Sequence, residues 1–191
     1  MLQVRSILLG ELRSGLRRPG SPINVKDVAE RLRLSGTPVR EALERLVGEG
    51  MVMASDDGHG FAAVRLRRSE LAGHHELLGL LVESAVRSSG RERTSGKDIV
   101  IDQTDPTSAV EDALRFAAAG TSNPVLPPEI TRICNVVAPF RLHEPVLIRG
   151  WEAELRMIVD SDRPAKVIAA VRAFTRSRRV HASDIVDAAE Q

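Results

Sequence analysis

The fold of the N-terminal third is decided by residues 34–43, whose sequence is LSGTPVREAL. Glycine and proline interrupt a helix, and serine and threonine favour the first turn of the next one. The interruption lies between residues 25–32 and residues 39–47, which both carry apolar side chains at helical spacing. Two short amphipathic helices joined by such a turn predict a helix-turn-helix.

The flanking residues extend this unit into a winged helix-turn-helix. Before it, residues 4–12 have the apolar spacing of a first helix, and Asn24 is the expected N-cap of the second helix. After Gly50 the apolar period changes to alternation, which predicts two strands, residues 51–54 and 61–64, joined by a hairpin loop. Three helices followed by a β-hairpin wing therefore form the expected N-terminal domain.

The third predicted helix has the features of a helix that enters the major groove of DNA. Arg40, Glu44 and Arg45 lie off its apolar stripe, and Ser35 or Thr37 is the expected cap of its first turn. The N–H groups at a helix N-terminus favour anions, and the first turn of a recognition helix faces the base edges. The sequence thus predicts a DNA-binding face at this end of the helix.

Residues 5–64 resemble the DNA-binding domain of the GntR family of bacterial repressors. The matching residues, all at fixed offsets, are segments 28–32 and 34–43, Leu46, the Glu49-Gly50 pair and the wing residues 58–60. The resemblance implies six DNA contacts: Lys26, Ser35, Thr37, Arg40, His59 and Gly60. The two cations would pair with phosphates, the two hydroxyls would bond to phosphates, and the wing histidine would enter the minor groove.

These residues also have purely structural interpretations. Lys26 would then be a solvated helix residue, and Arg40 would pair with Glu44 one turn along the helix. The two hydroxyl residues would serve only as helix caps, and His59 would be an ordinary loop histidine. Gly60 is also expected to let the backbone approach a phosphate or the minor groove closely.

One departure from the family pattern is Gly36, where relatives carry an arginine that reads guanine in the major groove. A bidentate arginine–guanine contact is worth about 1–3 kcal/mol of discrimination between bases. Because the other contact positions are retained, we expect an altered or looser operator sequence rather than loss of DNA binding.

Residues 69–191 are predicted to be an all-helical bundle. Helical periodicity recurs in six stretches: residues 71–82, 111–119, 127–137, 145–159, 164–178 and 182–190. Residues 88–108 indicate a long loop around a short apolar segment, residues 99–101. The expected fold class is mainly α, with a winged helix in residues 1–68 and a helical effector-binding and dimerisation domain in residues 69–191.

The helical region resembles the FCD-type bundle of the FadR-like branch of the family, in a shortened and degenerate form. The resemblance rests on residues 122–126 and on Ile158 with Ser161-Asp162. It implies a site for a small carboxylate or acyl ligand and a homodimer interface. Many such bundles also hold a metal through one aspartate and three histidines.

The positions of those metal ligands carry other residue types in this chain. Counted from the two matching corners, they fall on Val110, Leu114, Trp151 and Ala173, and the arginine that faces the ligand falls on Gly79. A shift of two positions would place Asp112 at the aspartate position but would not recover the histidines. A divalent cation needs convergent nitrogen or oxygen ligands. We therefore expect no metal and no cofactor.

Composition and motifs argue against other classes of protein. The single cysteine, Cys134, rules out an intrachain disulfide framework, and no apolar run is long enough for a membrane span. No phosphate-binding loop, paired carboxylates or nucleophile motif points to an enzyme. Residues 1–68 carry 12 Lys or Arg against 8 Asp or Glu, a modest surplus that would favour approach to DNA. A reducing, cytoplasmic location is expected.

The sequence predicts a dimeric transcription regulator, expected to be a repressor, that binds a short palindromic operator and whose helical domain can respond to a small-molecule effector. The alternative is a degenerate regulator that keeps the winged helix as a scaffold and acts as a protein-interaction or ligand-binding module without specific DNA binding. Gly36 and the lost metal positions motivate that alternative.

Overall fold

The N-terminal part of the chain folds into three helices and a small antiparallel sheet. The computed structural model describes residues 2–55, 60–90, 96 and 99–191. The elements of the N-terminal part are α1 (Leu2–Arg13), β1 (Pro22–Ile23), α2 (Val25–Leu32), α3 (Gly36–Gly48), β2 (Val52–Ala54) and β3 (Phe61–Ala63). The predicted winged helix is therefore confirmed.

Local side-chain chemistry sets the start of α2 but not that of α3. The Asn24 side chain accepts a hydrogen bond from the Lys26 N–H at 2.9 Å, which confirms the expected N-cap. Ser35 occupies the N-cap position of α3, yet its hydroxyl makes no capping hydrogen bond. α1 and α3 pack on each other, with Leu8 and Leu43 completely buried, so apolar burial holds the unit together.

The sheet has three antiparallel strands in the order β1-β3-β2, whereas the sequence predicted a two-stranded hairpin. β1 pairs Ile23 with Phe61, and β2 pairs Ala54 with the same residue from the other side. A two-residue segment that contains a proline and follows a Pro-Gly pair is typical of a turn, which is why β1 was not expected. The third strand ties the segment before α2 to the base of the wing.

The rest of the chain forms a helical bundle, as predicted. Its helices are α4 (Arg68–Arg87), α5 (Pro106–Ala118), α6 (Leu126–Arg141), α7 (Glu144–Leu147), α8 (Trp151–Val159), α9 (Pro164–Val180) and α10 (Ala182–Ala189). α4 lies at the centre and packs against α9, α6, α5 and α10. A Cβ on Gly79 of α4 would lie 3.0 Å from Thr175 Oγ1 of α9, so this glycine allows the two helices to approach closely. None of the described helices has the length and apolar character needed to cross a bilayer.

Two parts of the bundle differ from the expected helix boundaries. α5 begins at Pro106 rather than at residue 111, and the Asp105 carboxylate caps it by accepting a hydrogen bond from the Ser108 N–H at 3.0 Å. The helix predicted over residues 145–159 is divided into α7 and α8. Gly150 separates them because it adopts a left-handed conformation with φ 75°.

α1 connects the winged helix to the bundle by packing on α6. At the end of α1, the Arg13 guanidinium pairs with Glu111 of α5 at 2.9 Å and donates a hydrogen bond to Asn135 of α6. Gly50, which follows α3, lies beside Val136 of α6. The buried apolar residues of the two parts form one continuous core.

Candidate nucleic-acid interface

An open groove lies between α2, the start of α3 and β3. This recognition groove is lined by Lys26, Gly36, Arg40, Gly60 and Phe61, among others. Lys26, Arg40 and Gly60, three of the six residues predicted to contact DNA, therefore lie on one concave surface. Gly36, which departs from the family pattern, lies on the same surface. These residues come from three separate elements, so the groove exists only in the folded winged helix.

Lys26 lies in the first turn of α2, with 81% of its side chain exposed. Its ammonium Nζ is 3.8 Å from Glu30 Oε1, one helical turn along α2. An exposed pair of this kind contributes at most about 1 kcal/mol to stability. Lys26 can therefore exchange this carboxylate for a DNA phosphate with little loss of stability.

Arg40 lies on α3, one helical turn after Gly36. Its guanidinium carbon Cζ is 5.7 Å from the centre of the Phe61 ring, a cation–π contact that restricts the direction of the side chain. The ion pair with Glu44 considered from the sequence is absent from the described part of the chain. Arg40 is therefore packed against the wing strand rather than neutralised on its own helix.

Ser35 and Thr37 lie at the exposed N-terminus of α3. Neither hydroxyl has a hydrogen-bond partner among the described residues, so capping does not account for them. The first turn of α3 also contains no acidic residue. The first N–H groups of α3 are thus open to an anion, which the positive end of the helix dipole also favours.

Gly36 is the first residue of α3, and its conformation does not require glycine. A Cβ added there would lie 3.6 Å from Val25 Cγ1, an ordinary van der Waals contact, and its φ is not in the left-handed region. Packing around Gly36 therefore does not explain why the arginine of the family pattern is missing here.

Gly60 closes the base of the wing loop. Its N–H donates to Ser55 Oγ at 2.7 Å, and its carbonyl accepts from the Ser55 N–H at 3.0 Å. A Cβ at Gly60 would lie 2.8 Å from Ser55 Oγ, so a side chain there would displace the hydroxyl that accepts the Gly60 N–H; this adds to the close approach to DNA expected from the sequence. His59 falls in residues 56–59, outside the described residues.

Sequence reasoning missed two residues, one that lines the groove and one in the turn before α3. Phe61, which packs against Arg40, was assigned only to a strand, although apolar alternation does mark it as an inward-facing residue. Arg33, the C-cap of α2, has a left-handed backbone with φ 57° and ψ 45°. No sequence signal marks that conformation, because helix ends of this type usually carry glycine or asparagine.

The four positions at which the sequence resemblance would place metal ligands do not form a metal site. Val110 and Leu114 are completely buried apolar residues, Trp151 is buried, and Ala173 is exposed on α9. None of these side chains is a ligand for a divalent metal. Over the described ranges, no group of three or more His, Cys, Asp or Glu side chains could hold a metal ion.

The interior of the bundle instead contains a buried charge cluster, formed by His75, Arg141, Glu144, Glu154 and Arg178. Arg178 is completely buried, and its guanidinium donates to Glu144 Oε2 at 2.9 Å and to Glu154. Arg141 and His75 are also completely buried. Burial, followed by the positive charges of Arg141 and Arg178, holds the pKa of His75 well below its ordinary value of 6.5.

A cavity of about 400 Å³ opens between α5 and α6. Its lining is mainly apolar and includes Cys134 and Glu111. Glu111 is the carboxylate that holds Arg13 of α1. The volume suits a small molecule, because ligand sites in proteins span roughly 300–1,000 Å³.

Comparison with known proteins finds similarity concentrated in the N-terminal part of the chain. Residues 1–61 match the family model described as bacterial regulatory proteins, gntR family. The Nta operon transcriptional regulator of Aminobacter aminovorans is 38% identical over 84 residues, which make up 44% of this chain and 40% of that protein. The chain thus aligns with less than half the length of this curated relative.

Solved structures share the fold over nearly the whole chain. A GntR transcriptional regulator from Rhodococcus sp. RHA1 aligns over 98% of this chain and 96% of its own, with a TM-score of 0.65 and 17% identity. Lar of Listeria monocytogenes aligns over 95% of each chain, with a TM-score of 0.56 and 14% identity. E. coli McbR/YncC aligns over 98% of this chain and 93% of its own, with a TM-score of 0.54 and 19% identity. At these identities the likeness shows the fold alone.

The family match and the recognition groove fall on the same part of the chain. α2 and α3 lie within the matched residues, and β3 begins at the last of them. Residues 1–61 are therefore a winged helix that matches the gntR family of bacterial regulatory proteins, and a helical domain follows it in this chain.

Proposed function

We propose that the protein is a transcription regulator of the GntR type that binds double-stranded DNA through the recognition groove. The observation that carries the proposal is the convergence of Lys26, Arg40 and the uncapped N-terminus of α3 at one open groove. Cationic side chains and free N–H groups attract phosphates, and a helix docked by them presents its first turn to the base edges.

Six residues contact DNA in this proposal. Lys26 and Arg40 pair with phosphates, and the hydroxyls at the N-terminus of α3 donate to phosphates. His59 and Gly60 of the wing approach the flanking minor groove. Gly36 has no side chain with which to read a base, so the operator lacks the guanine contact of the family pattern.

The proposed working unit is a homodimer that represses transcription. Residues 1–68 bind DNA, and residues 69–191 supply the contact between subunits. Two-fold symmetry would present one α3 to each of two major grooves, so the operator is a short palindrome with half-sites about one helical turn apart.

The cavity between α5 and α6 is the proposed effector site. A small molecule bound beside Glu111 would touch the carboxylate that holds Arg13 of α1. A ligand changes an equilibrium between two arrangements only if it binds one of them better. Competition for Glu111 would supply that difference, because it would loosen the contact between the winged helix and the bundle.

Selection of bound duplexes from a random DNA library tests the proposal. The full-length protein should enrich a palindromic motif, and the double variant Lys26→Ala/Arg40→Ala should not. Arg45→Ala is the matched control, since Arg45 is an exposed arginine on α3 outside the groove. A wild-type protein that enriches no motif would favour the alternative, a protein-interaction or ligand-binding module that keeps the winged helix as a scaffold.

A further inference from the structure

Arg33 adopts a backbone conformation that is unfavourable for its residue type. Its φ of 57° and ψ of 45° place it in the left-handed region, and it is the one non-glycine residue with positive φ in the described part of the chain. Glycine and asparagine adopt this conformation with much less strain than arginine. The turn between α2 and α3 therefore contains a residue with a strained backbone.

The backbone of Arg33 has an ordinary structural role. Its N–H bonds to the carbonyl groups of Ala29 and Glu30 and so closes the end of α2, and the next N–H, of Leu34, bonds to Ala29 as well. A glycine at position 33 would make the same backbone hydrogen bonds. The helix end therefore explains the turn but not the arginine side chain.

The side chain of Arg33 is not used by the fold. Arg33 is exposed, and its guanidinium has no ion-pair or hydrogen-bond partner among the described residues. Glu30, one turn earlier on α2, is paired with Lys26 instead. Strained residues persist where the surrounding structure imposes them, and they concentrate at functional sites.

The position of Arg33 is close to the proposed phosphate contacts. It precedes Ser35 by two residues and Gly36 by three, so its Cα lies within about 11 Å of the Cα of Gly36. Its long side chain extends from the turn that leads into the uncapped N-terminus of α3. An unpaired guanidinium at this place can reach the phosphates that flank the recognition helix.

We infer that Arg33 is a phosphate-contacting residue of the DNA interface, which supplies a positive charge beside the position where Gly36 lacks one. The inference rests on the proposed function, since it needs DNA bound at the recognition groove. Its signature is a change of opposite sign in two properties. Replacing Arg33 with glycine should raise thermal stability and at the same time weaken DNA binding.

The experiment compares four full-length proteins on a short fluorescent duplex of mixed sequence, because phosphate contacts do not depend on sequence. These are the wild type, Arg33→Gly, Arg33→Lys and Arg176→Gln, the last removing an exposed positive charge on α9. Affinity is measured over a range of salt concentrations, and the melting temperature is measured without DNA.

Arg33→Gly is expected to melt a few degrees higher, to bind about tenfold more weakly per contact, and to show a log–log salt slope shallower by about 0.9 per lost phosphate contact. Arg33→Lys should keep most of the affinity and the slope, and Arg176→Gln should match the wild type. A purely structural role for Arg33 would not change the salt slope.

An Arg33→Gly variant with the wild-type affinity and slope would overturn the inference while leaving the proposed function in place. A wild-type protein that binds no duplex at any salt concentration would overturn both. Equal losses in Arg33→Gly and Arg176→Gln would also overturn it, because they would show an effect of net charge rather than of position.

Discussion

In the winged helix the arginines of the proposed DNA-binding face lie at the surface, whereas two arginines of the helical bundle are completely buried. The Arg33 guanidinium has no ion-pair or hydrogen-bond partner in the described chain, and the Arg40 guanidinium lies over the Phe61 ring. Arg178 is enclosed by Glu144 and Glu154, and its Cζ lies 3.6 Å from the centre of the Phe174 ring. The same residue type thus serves two purposes.

The two regions differ in whether their arginines are available to bind another molecule. A surface guanidinium keeps its charge available to a phosphate, and its loss changes affinity more than stability. A buried guanidinium is already paired with carboxylates, and its loss leaves their negative charges unpaired in the interior. The two sets should therefore respond to substitution in different assays, the buried set in unfolding and the surface set in DNA binding.

The largest expected effect belongs to the buried charge cluster. Arg178→Met removes the cation that compensates Glu144 and Glu154, so the free energy of unfolding should fall by about 3–5 kcal/mol. Urea denaturation measures the loss. Arg176→Met, two residues earlier on the same helix and exposed, is the control and should change stability by less than about 0.5 kcal/mol. Equal stabilities of the two variants would contradict a role for Arg178 in compensating the charges of the buried carboxylates.

The next effect is on DNA affinity. Arg40→Ala should weaken binding by about 1.5–3 kcal/mol, because a charged contact to phosphate is lost, and should leave the melting temperature nearly unchanged. Fluorescence anisotropy with a labelled duplex gives the affinity. Arg45→Ala, about 140° around α3, should bind like the wild type. The opposite pattern, with Arg45 essential and Arg40 dispensable, would place DNA on another face of α3.

Gly36→Arg should increase the base discrimination of the winged helix. The site has room for a side chain, so the variant is expected to fold and to gain about 1–3 kcal/mol of preference for operators with guanine at the contacted position. Ranking of selected sequences for the wild type, Gly36→Arg and Gly36→Ala separates the effect of the guanidinium from that of the added Cβ. Identical rankings for all three would show that the first turn of α3 does not face the bases.

The smallest predicted effect is a pH dependence that belongs to the bundle alone. The pKa of His75 lies well below 6.5 in the folded protein because of burial and the charges of Arg141 and Arg178, whereas the unfolded chain takes up this proton near pH 6.5. Stability should therefore fall as the pH drops below about 6.5, by up to about 1.4 kcal/mol per pH unit from this residue.

The contribution of His75 is isolated by comparing the wild type with His75→Leu. His74 and His143 also have lowered pKa values, from burial, so the wild-type slope contains their contributions too. Urea denaturation from pH 7 to pH 5 should give a shallower slope for the variant. An unchanged slope would mean that His75 is not kept neutral in the folded protein. DNA affinity at fixed stability should not distinguish the two proteins.

The sequence predicted the winged helix well because its signals are local. Apolar spacing marks α1, α2 and α3, and Asn24 is a cap whose side chain bonds as expected. Two features were not predicted, and only the first of them depends on a contact between residues distant in the chain. β1 exists only because Ile23 meets Phe61, and the break before α8 depends on the conformation of Gly150.

The candidate site was predicted as a set of residues but not as a surface. A motif match places Lys26 and Arg40 on the protein, while the packing of Phe61 beneath Arg40 and the strained turn at Arg33 appear only in three dimensions. In the bundle, nothing in the sequence distinguishes Arg141 and Arg178 from ordinary surface arginines. Their burial depends on carboxylates from other helices, which no periodicity reveals.

The salt dependence of DNA binding by the wild-type protein shows directly whether the recognition groove holds the DNA backbone. Three cations per subunit, Lys26, Arg33 and Arg40, face phosphates in this account. A dimer that makes all of these contacts should give a log–log slope of about −5 for the association constant against salt concentration. A slope near zero, or no binding even at low salt, would contradict the claim that the recognition groove holds the DNA backbone.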